Sequence, residues 1–205
     1  MTSKPERETP EQLPQISKLP IPDVETLPED LQKYIRVCDE KLGYVPNVVL
    51  SYTFRPEKLR TFIAKYDEMM LKDEHTTLTR LEREMIAVVV SSYNHCLYCI
   101  TSHGQAVREF SGDPVLGDIL ATNYREANLS ERHRAILDFA WDMTAHPAET
   151  TDEHRQKLYD AGLTAEEIFD VADVIAYFNY TNRMALATGM APNRIYFGMD
   201  RLKPE

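Results

Sequence analysis

Long apolar runs are missing from this chain. The longest uninterrupted apolar stretch runs from Met85 to Val90, whereas about 20 consecutive apolar residues are needed to span a bilayer. Residues 1–15 are polar and contain proline, so we expect neither a signal peptide nor a membrane anchor there. We therefore predict a cytoplasmic protein with no membrane partner, in which residues 1–15 form a flexible N-terminal tail.

Basic residues are also in short supply. Lysine and arginine together number 23, against 33 aspartates and glutamates, which gives a formal net charge of −10. Proteins bind phosphate backbones through clustered lysines and arginines. We therefore expect no nucleic-acid partner.

Glycine is scarce, at seven residues, and no segment between Pro20 and Phe197 alternates apolar and polar residues with hairpin turns at both ends. Apolar residues recur at helical spacing instead, as in the stripe from Leu31 to Leu42. The sequence therefore predicts an all-α fold. A chain of 205 residues is long enough to build a real core, and we expect one domain over residues 16–205.

Helix boundaries can be predicted from capping residues. Thr79 to Glu82 and Thr164 to Glu167 each have the pattern of a capping box, and Ser130 is a preferred N-cap residue. The predicted helices cover residues 28–42, 48–53, 56–72, 79–93, 95–110, 130–145, 151–162 and 164–188, with an ambiguous segment at 115–124. Residues 129–162 faintly echo residues 78–112, which raises the hypothesis of two pseudo-repeated halves.

Two of the three cysteines lie in one stretch, residues 84–103, together with a histidine and a carboxylate. Cys96, Cys99 and His103 stand at positions i, i+3 and i+7, which places them on one helix face. Glu84 would lie about 18 Å from Cys96 along one continuous helix. Asn94, a preferred N-cap residue, predicts a new helix at this point. Glu84 could then face the cysteines across an antiparallel helix pair.

This set of residues is typical of thiol redox chemistry. In a cytoplasmic chain, an odd cysteine count that includes one Cys-x-x-Cys pair indicates a redox or metal motif rather than a disulfide framework. The N-terminus of a helix favours thiolate, so helix physics makes Cys96 the more acidic thiol. Glu84 lies on a buried stripe, where we expect a raised pKa suited to proton transfer.

Two alternatives concern single residues. Glu84 could simply pair with a basic neighbour, Arg80 or Arg83. Cys38 lies in an apolar helical stripe, and a small core residue explains it better than a redox or metal role does.

A zinc site is the third alternative. Its ligands would be Cys96, Cys99 and His103, completed by His75, His95 or Cys38. Structural zinc sites usually need a second ligand pair, and the sequence has no second Cys-x-x-Cys.

The motif E-x11-C-x-Y-C-x3-H, formed by Glu84, Cys96, Tyr98, Cys99 and His103, resembles that of a known family. This is the alkylhydroperoxidase D-like or carboxymuconolactone decarboxylase superfamily, and its peroxidase-related branch is the most similar part. The surrounding L-T-R-L-E-R-E-M-I-A-V-V-V-S-S-Y-N-H-C-L-Y-C resembles the signature of that branch. The segments L-G-Y-V-P-N, R-P-E and F-N-Y-T-N-R extend the resemblance over most of the chain.

The resemblance implies a helical bundle that assembles as a homo-oligomer and acts as a cofactor-free thiol peroxidase. Cys99 would attack a hydroperoxide and Cys96 would resolve the sulfenic acid to a disulfide, which an outside dithiol reductant would reduce. Glu84 and His103 would form the proton relay, with no metal involved. Tyr98 stands where the best-studied members have a relay histidine. We expect it, with His95, to play a supporting part.

Three hypotheses follow for the function. The first is an antioxidant peroxidase or disulfide oxidoreductase that uses the Cys96/Cys99 dithiol. The second is a decarboxylase of a small lactone acid, as elsewhere in the superfamily, although that reaction does not obviously need paired thiols. The third is a non-enzymatic helical module that senses redox state or binds metal.

Overall fold

The computed structural model describes residues 16–202, and within them it contains nine α-helices and no strand. The prediction of an all-α fold is confirmed. The predicted tail, residues 1–15, lies outside the described residues. The helices are α1 Glu29–Leu42, α2 Asn47–Tyr52, α3 Pro56–Tyr66, α4 Arg80–Tyr93, α5 Leu97–Ser111, α6 Leu116–Asn123, α7 Glu131–Ala145, α8 Asp152–Asp160 and α9 Ala165–Thr188.

Capping residues set the helix ends, as the sequence predicts. Thr79 and Thr164 both form complete capping boxes, with Glu82 and Glu167 respectively. The Ser130 side chain accepts a hydrogen bond from the backbone N–H of His133, which satisfies a free donor at the start of α7.

The third helix is shorter than predicted. It ends at Tyr66, and the chain continues as a π-helical turn, Asp67–Leu71. The backbone N–H of Lys72 donates to the carbonyl of Asp67, five residues earlier. This wider turn leaves the Met70 carbonyl to accept a hydrogen bond from Arg80 of α4. The spacing of apolar residues in the sequence does not reveal this π-helical turn, because apolar residues continue at helical spacing through Met69 and Met70.

The buried residues form two apolar clusters. The larger contains α4, buried on all sides from Met85 to Val90, packed among α6, α7, α8 and α9. The smaller joins α1, α2 and α3 to the start of α5 and the end of α9, and it includes Cys96 and Cys99. Phe62 packs against both clusters. The dithiol therefore lies beneath a layer formed by the first three helices.

Helices α5 and α6 approach each other at two glycines. A Cβ atom added to Gly117 would collide with the backbone carbonyl of Gly104. The site helix α5 therefore depends on a backbone contact that only glycine permits at position 117. Over residues 16–202, no helix combines the length and the apolar character that crossing a membrane would require.

Candidate active site

The turn between α4 and α5 brings the predicted site residues together. Helix α4 ends at Tyr93, Asn94 is its C-cap residue, and His95 takes a left-handed backbone conformation with φ 54°. Cys96 is the N-cap residue of α5, and its backbone N–H donates to the carbonyl of Ser91 at 3.0 Å. The predicted chain reversal is confirmed. The prediction of Asn94 as N-cap is wrong, because the left-handed residue 95 delays the new helix until Cys96.

Glu84 contacts two basic side chains, Arg80 on its own helix and His103 across the helix pair. Its side chain is fully buried, with Oε2 2.6 Å from His103 Nδ1 and Oε1 accepting from Arg80 Nε at 2.8 Å. The alternative pairing with Arg80 is thus present together with the predicted contact to His103. Arg83 pairs with Asp73 instead.

The expectation of a raised Glu84 pKa is wrong. Burial pushes that pKa upward, but the positive charges and hydrogen bonds of His103 and Arg80 together outweigh burial, so the net pKa lies below the usual range. Glu84 is therefore an anion at neutral pH. Because a carboxylate can only accept, the proton of the His103 pair resides on Nδ1. Nε2 of His103 is then the nitrogen available for proton exchange.

The two thiols of the Cys-x-x-Cys pair are in direct contact. Cys96 Sγ and Cys99 Sγ lie 2.8 Å apart, both are free cysteines, and they are only 1% and 3% exposed. The hydrogen bond from Cys99 lowers the Cys96 pKa, supported by the backbone N–H groups of Cys99 and Tyr98 against the effect of burial. Burial, together with the neighbouring Cys96, raises the Cys99 pKa well above its ordinary value. Cys96 is therefore the more acidic thiol, in line with its place at the helix N-terminus.

Two polar side chains from α4 and α9 contact Cys99. Ser91 and Asn182 are fully buried, and each interacts with the Cys99 sulfur. Both lower the Cys99 pKa, against the larger opposing effect of burial. Sequence reasoning assigned no chemistry to either residue. The only signal was the F-N-Y-T-N-R segment, which contains Asn182.

Aromatic rings pack against His103, and others line the smaller apolar cluster that contains the dithiol. The Phe178 ring packs edge-on against His103 at 4.6 Å, and Tyr177 packs against Phe178 at 5.6 Å. On the other side, Tyr52 stacks on Phe62 at 4.7 Å. Tyr52 and Phe62 pack in the same apolar cluster as the two cysteines, and burial in this cluster raises the Cys99 pKa.

The two supporting residues lie apart from the acid–histidine pair. The Tyr98 hydroxyl accepts a hydrogen bond from the backbone N–H of Val48 at 3.1 Å, so it links α5 to α2. His95 is exposed at the turn. Cys38 is half-buried on α1.

The zinc alternative finds no ligand set in the structure. Within residues 16–202, no three histidine, cysteine, aspartate or glutamate side chains converge in a way that could hold a metal ion. His75 is exposed in a short 3-10 turn, and Cys38 lies on α1.

The fold places this chain in the class of alkylhydroperoxidase D-like helical proteins. An uncharacterized peroxidase-related protein from Silicibacter sp. TM1040 superimposes with a TM-score of 0.88 at 47% identity, over 94% of this chain and 100% of that one. The alkylhydroperoxidase AhpD core of an uncharacterized peroxidase-related protein from Ralstonia eutropha JMP134 gives 0.88 at 40% identity, over 92% and 98%.

The chain therefore belongs to the peroxidase-related branch of the alkylhydroperoxidase D-like, or carboxymuconolactone decarboxylase, superfamily. The sequence model of the carboxymuconolactone decarboxylase family matches residues 57–115, which include the whole α4–α5 site. The debrominase Bmp8 shares the fold alone, with 20% identity, a TM-score of 0.69 and coverage of 89% of this chain and 94% of that one. A search of the curated proteins finds no match.

Proposed function

We propose that this protein is a cofactor-free thiol peroxidase that reduces hydroperoxides through the Cys96/Cys99 dithiol. The observation that carries the proposal is the contact between two free thiols, 2.8 Å apart, of which one has a lowered pKa. A thiolate is the form that attacks peroxide, and a second thiol in contact can resolve the product at once.

The difference in pKa between the two thiols suggests which of them attacks the hydroperoxide and which resolves the product. Cys96 has the lower pKa of the two, so it ionises first and as a thiolate accepts a hydrogen bond from Cys99. As Cys99 approaches the hydroperoxide, its proton passes to Cys96, which acts as the local base. A thiol with a higher pKa gives the stronger nucleophile once it is deprotonated. Cys99 is therefore the peroxidatic cysteine of the proposal, and Cys96 is the resolving one.

The chemical steps balance without a cofactor. The Cys99 thiolate attacks the terminal oxygen of ROOH, the O–O bond breaks, and the alkoxide leaves with a proton as ROH. Cys99 becomes a sulfenic acid and has lost two electrons. The Cys96 sulfur then attacks Cys99, forming the S–S bond and releasing water. An outside dithiol supplies two electrons and two protons to restore both thiols.

The Glu84–His103 pair would supply the proton to the leaving oxygen. Glu84 is anionic and fixes the His103 ring through Nδ1, so Nε2 faces away from the carboxylate. His103 follows Cys99 by one helical turn and lies on the same face. This placement supports His103 as the group that exchanges protons at the reacting oxygen.

Thiol titration tests the proposal directly. Free thiols are counted before and after one equivalent of cumene hydroperoxide, and peptide masses locate any new bond. We expect the loss of two thiols and a Cys96–Cys99 disulfide, and we expect Cys99→Ser to abolish peroxide consumption. Cys38→Ser is the matched control and should behave like the parent protein. No disulfide, or unchanged turnover in Cys99→Ser, would refute the assignment, and lactone decarboxylation that survives loss of both cysteines would favour the decarboxylase hypothesis.

We also propose that the protein forms a homo-oligomer. Helix α9 exposes large apolar side chains, with Phe169 74% and Tyr180 52% accessible in the single chain. Exposed apolar surface of this kind is typical of protein interfaces. Light scattering of the purified protein should give a multiple of the 23.7 kDa chain mass, and a monomer at micromolar concentration would refute this part.

A further inference from the structure

A series of hydrogen-bonded amides runs from Asn179 on α9 through Asn94 and Asn182 to Ser91 on α4. Asn179 Nδ2 donates to the Ile175 carbonyl at 3.1 Å, and Asn94 Nδ2 donates to the Oδ1 atoms of both Asn179 and Asn182 at 3.0 Å. Asn182 Nδ2 then donates to Ser91 Oγ at 2.9 Å. Asn182 and Ser91 are fully buried, so the bond between them lies away from water, whereas Asn94 and Asn179 are half-buried.

The orientation of each amide in this hydrogen-bonded series is fixed by Asn179, the amide farthest from Cys99. A backbone carbonyl can only accept, so the nitrogen of Asn179 must face Ile175 and its oxygen must face Asn94. Arg183, which can only donate, bonds to the same Asn179 oxygen at 2.9 Å. Asn94 must therefore donate toward Asn182, and the NH2 group of Asn182 must point the other way, toward Ser91 and Cys99.

We propose that Asn182 is a further catalytic residue, which donates a hydrogen bond to the Cys99 sulfur and stabilises negative charge on that atom. Ser91 completes the arrangement, because its oxygen accepts from Asn182 and its O–H group is left to donate to the same sulfur. The role rests on the proposed thiol chemistry of Cys99. It concerns two side chains that the E-x11-C-x-Y-C-x3-H motif does not include.

Charge arises on Cys99 at two points of the reaction. It is present when Cys99 attacks the hydroperoxide as a thiolate. It returns when an outside dithiol attacks Cys96, the S–S bond breaks, and Cys99 leaves with the electron pair. Burial opposes that charge at both points, because the sulfur is 3% exposed and has little contact with water. Donors fixed in place before the reaction replace the missing water.

The test uses thiol ionisation and needs no hydroperoxide. In a Cys38→Ser, Cys96→Ser background, Cys99 is the remaining thiol, and its alkylation by iodoacetamide is followed by mass as a function of pH. Asn182→Leu keeps a similar volume but cannot donate. We expect about tenfold slower alkylation of Cys99 at a fixed pH below its pKa, because a hydrogen bond to a charged group is worth about one pKa unit or more.

Thr144→Val is the matched control. Thr144 is buried and accepts from Asn179 at 3.1 Å, so it belongs to the same hydrogen-bonded series without touching sulfur. Its alkylation profile should equal that of the background protein. An equal or faster rate in Asn182→Leu, with helix content retained by circular dichroism, would overturn the proposal.

A second variant keeps the test decisive if Asn182→Leu fails to fold. Ser91→Ala removes the other donor and leaves a smaller gap, and it should also slow Cys99 alkylation at fixed pH. An unchanged rate in that variant would count against charge stabilisation at this sulfur. Failure of the peroxidase proposal would show separately, as absence of the peroxide-driven disulfide in the parent protein.

Discussion

Glu84 keeps its negative charge in a fully buried position because two basic side chains contact its two oxygens. A buried carboxylate with one weak partner would protonate, whereas Arg80 is permanently charged and its guanidinium is 2.8 Å away. Arg80 is itself fixed by the Met70 carbonyl and by the Phe110 ring, 5.2 Å from its guanidinium carbon. The acid can therefore stay ionised in its buried position.

Replacement of Glu84 by glutamine should cost stability in a pH-dependent way. The folded-state pKa of Glu84 is lowered, so its contribution is present above the unfolded value near 4.3 and is lost as the pH falls through the folded value. Removing one partner of a buried ion pair costs about 3 kcal/mol. Urea unfolding should show this loss at neutral pH, and the two proteins should converge in acid.

The control for that measurement is Glu57→Gln. Glu57 is an exposed carboxylate that pairs with Arg60 at the surface, and exposed pairs contribute little. Its unfolding curve should match the parent curve at both pH values. A constant stability difference between parent and Glu84→Gln at all pH values would contradict the depressed pKa.

For single residues, the sequence predicts which side chains form the candidate site better than it predicts their pKa values. The spacing of Cys96, Cys99 and His103 predicts one helix face, and the structure places Cys99 and His103 on α5 with Cys96 as its N-cap residue. The sign of the Glu84 pKa could not be predicted, because it depends on whether Arg80 turns inward. Asn182 could not be found at all, since its contact with Cys99 is made across more than eighty positions of sequence.

The crossing of α5 and α6 is the most sensitive contact between elements near the site. A Cβ atom at Gly117 meets the Gly104 carbonyl, and backbone cannot move aside as a flexible side chain can. We expect Gly117→Ala to destabilise the protein by about 2 kcal/mol, as overpacking typically does. Thermal unfolding would measure this as a lowered Tm.

Gly198→Ala serves as the control for that variant. A Cβ atom there would meet only the Ile195 carbonyl, at an ordinary contact distance of 3.9 Å. The Tm of Gly198→Ala should stay close to the parent value. If the two alanine variants unfold alike, the close approach of α5 and α6 does not limit stability.

Helix starts were predictable from local chemistry, but some helix ends were not. Thr79 and Thr164 carry the side chains that satisfy the first free N–H groups, so their capping boxes are visible in the sequence. The π-helical turn after Tyr66 is different, because no capping side chain marks it and Arg80, the donor to its Met70 carbonyl, lies ten residues further on. Asn94 was assigned to the wrong helix because asparagine suits both kinds of cap.

The layer formed by α1, α2 and α3 covers the dithiol in the whole molecule. The bond from the Val48 N–H to the Tyr98 hydroxyl fastens this layer to α5. Such a bond contributes about 1 kcal/mol. Its loss should therefore raise the population of molecules in which this layer is open about fivefold. Tyr98→Phe should therefore speed alkylation of Cys96 and Cys99 by a bulky maleimide several-fold, with less effect on iodoacetamide.

Tyr93→Phe is the matched control for the covering layer. Its ring packs against Trp141 at 5.0 Å, on α7 rather than on the layer. Its labelling rates should equal those of the parent protein with both reagents. Equal maleimide rates in parent and Tyr98→Phe would show that the bond to Val48 does not control access.

The order in which the site can assemble follows from where its parts lie along the chain. Glu84, Cys96, Cys99 and His103 all belong to one helical hairpin, so their contacts close only a short loop and can form early in folding. Asn182 belongs to α9, which reaches Cys99 only when the rest of the bundle is in place. A newly made chain would thus hold paired thiols before it holds the amide that stabilises charge on Cys99. Folding would then be complete before the dithiol gains its full reactivity.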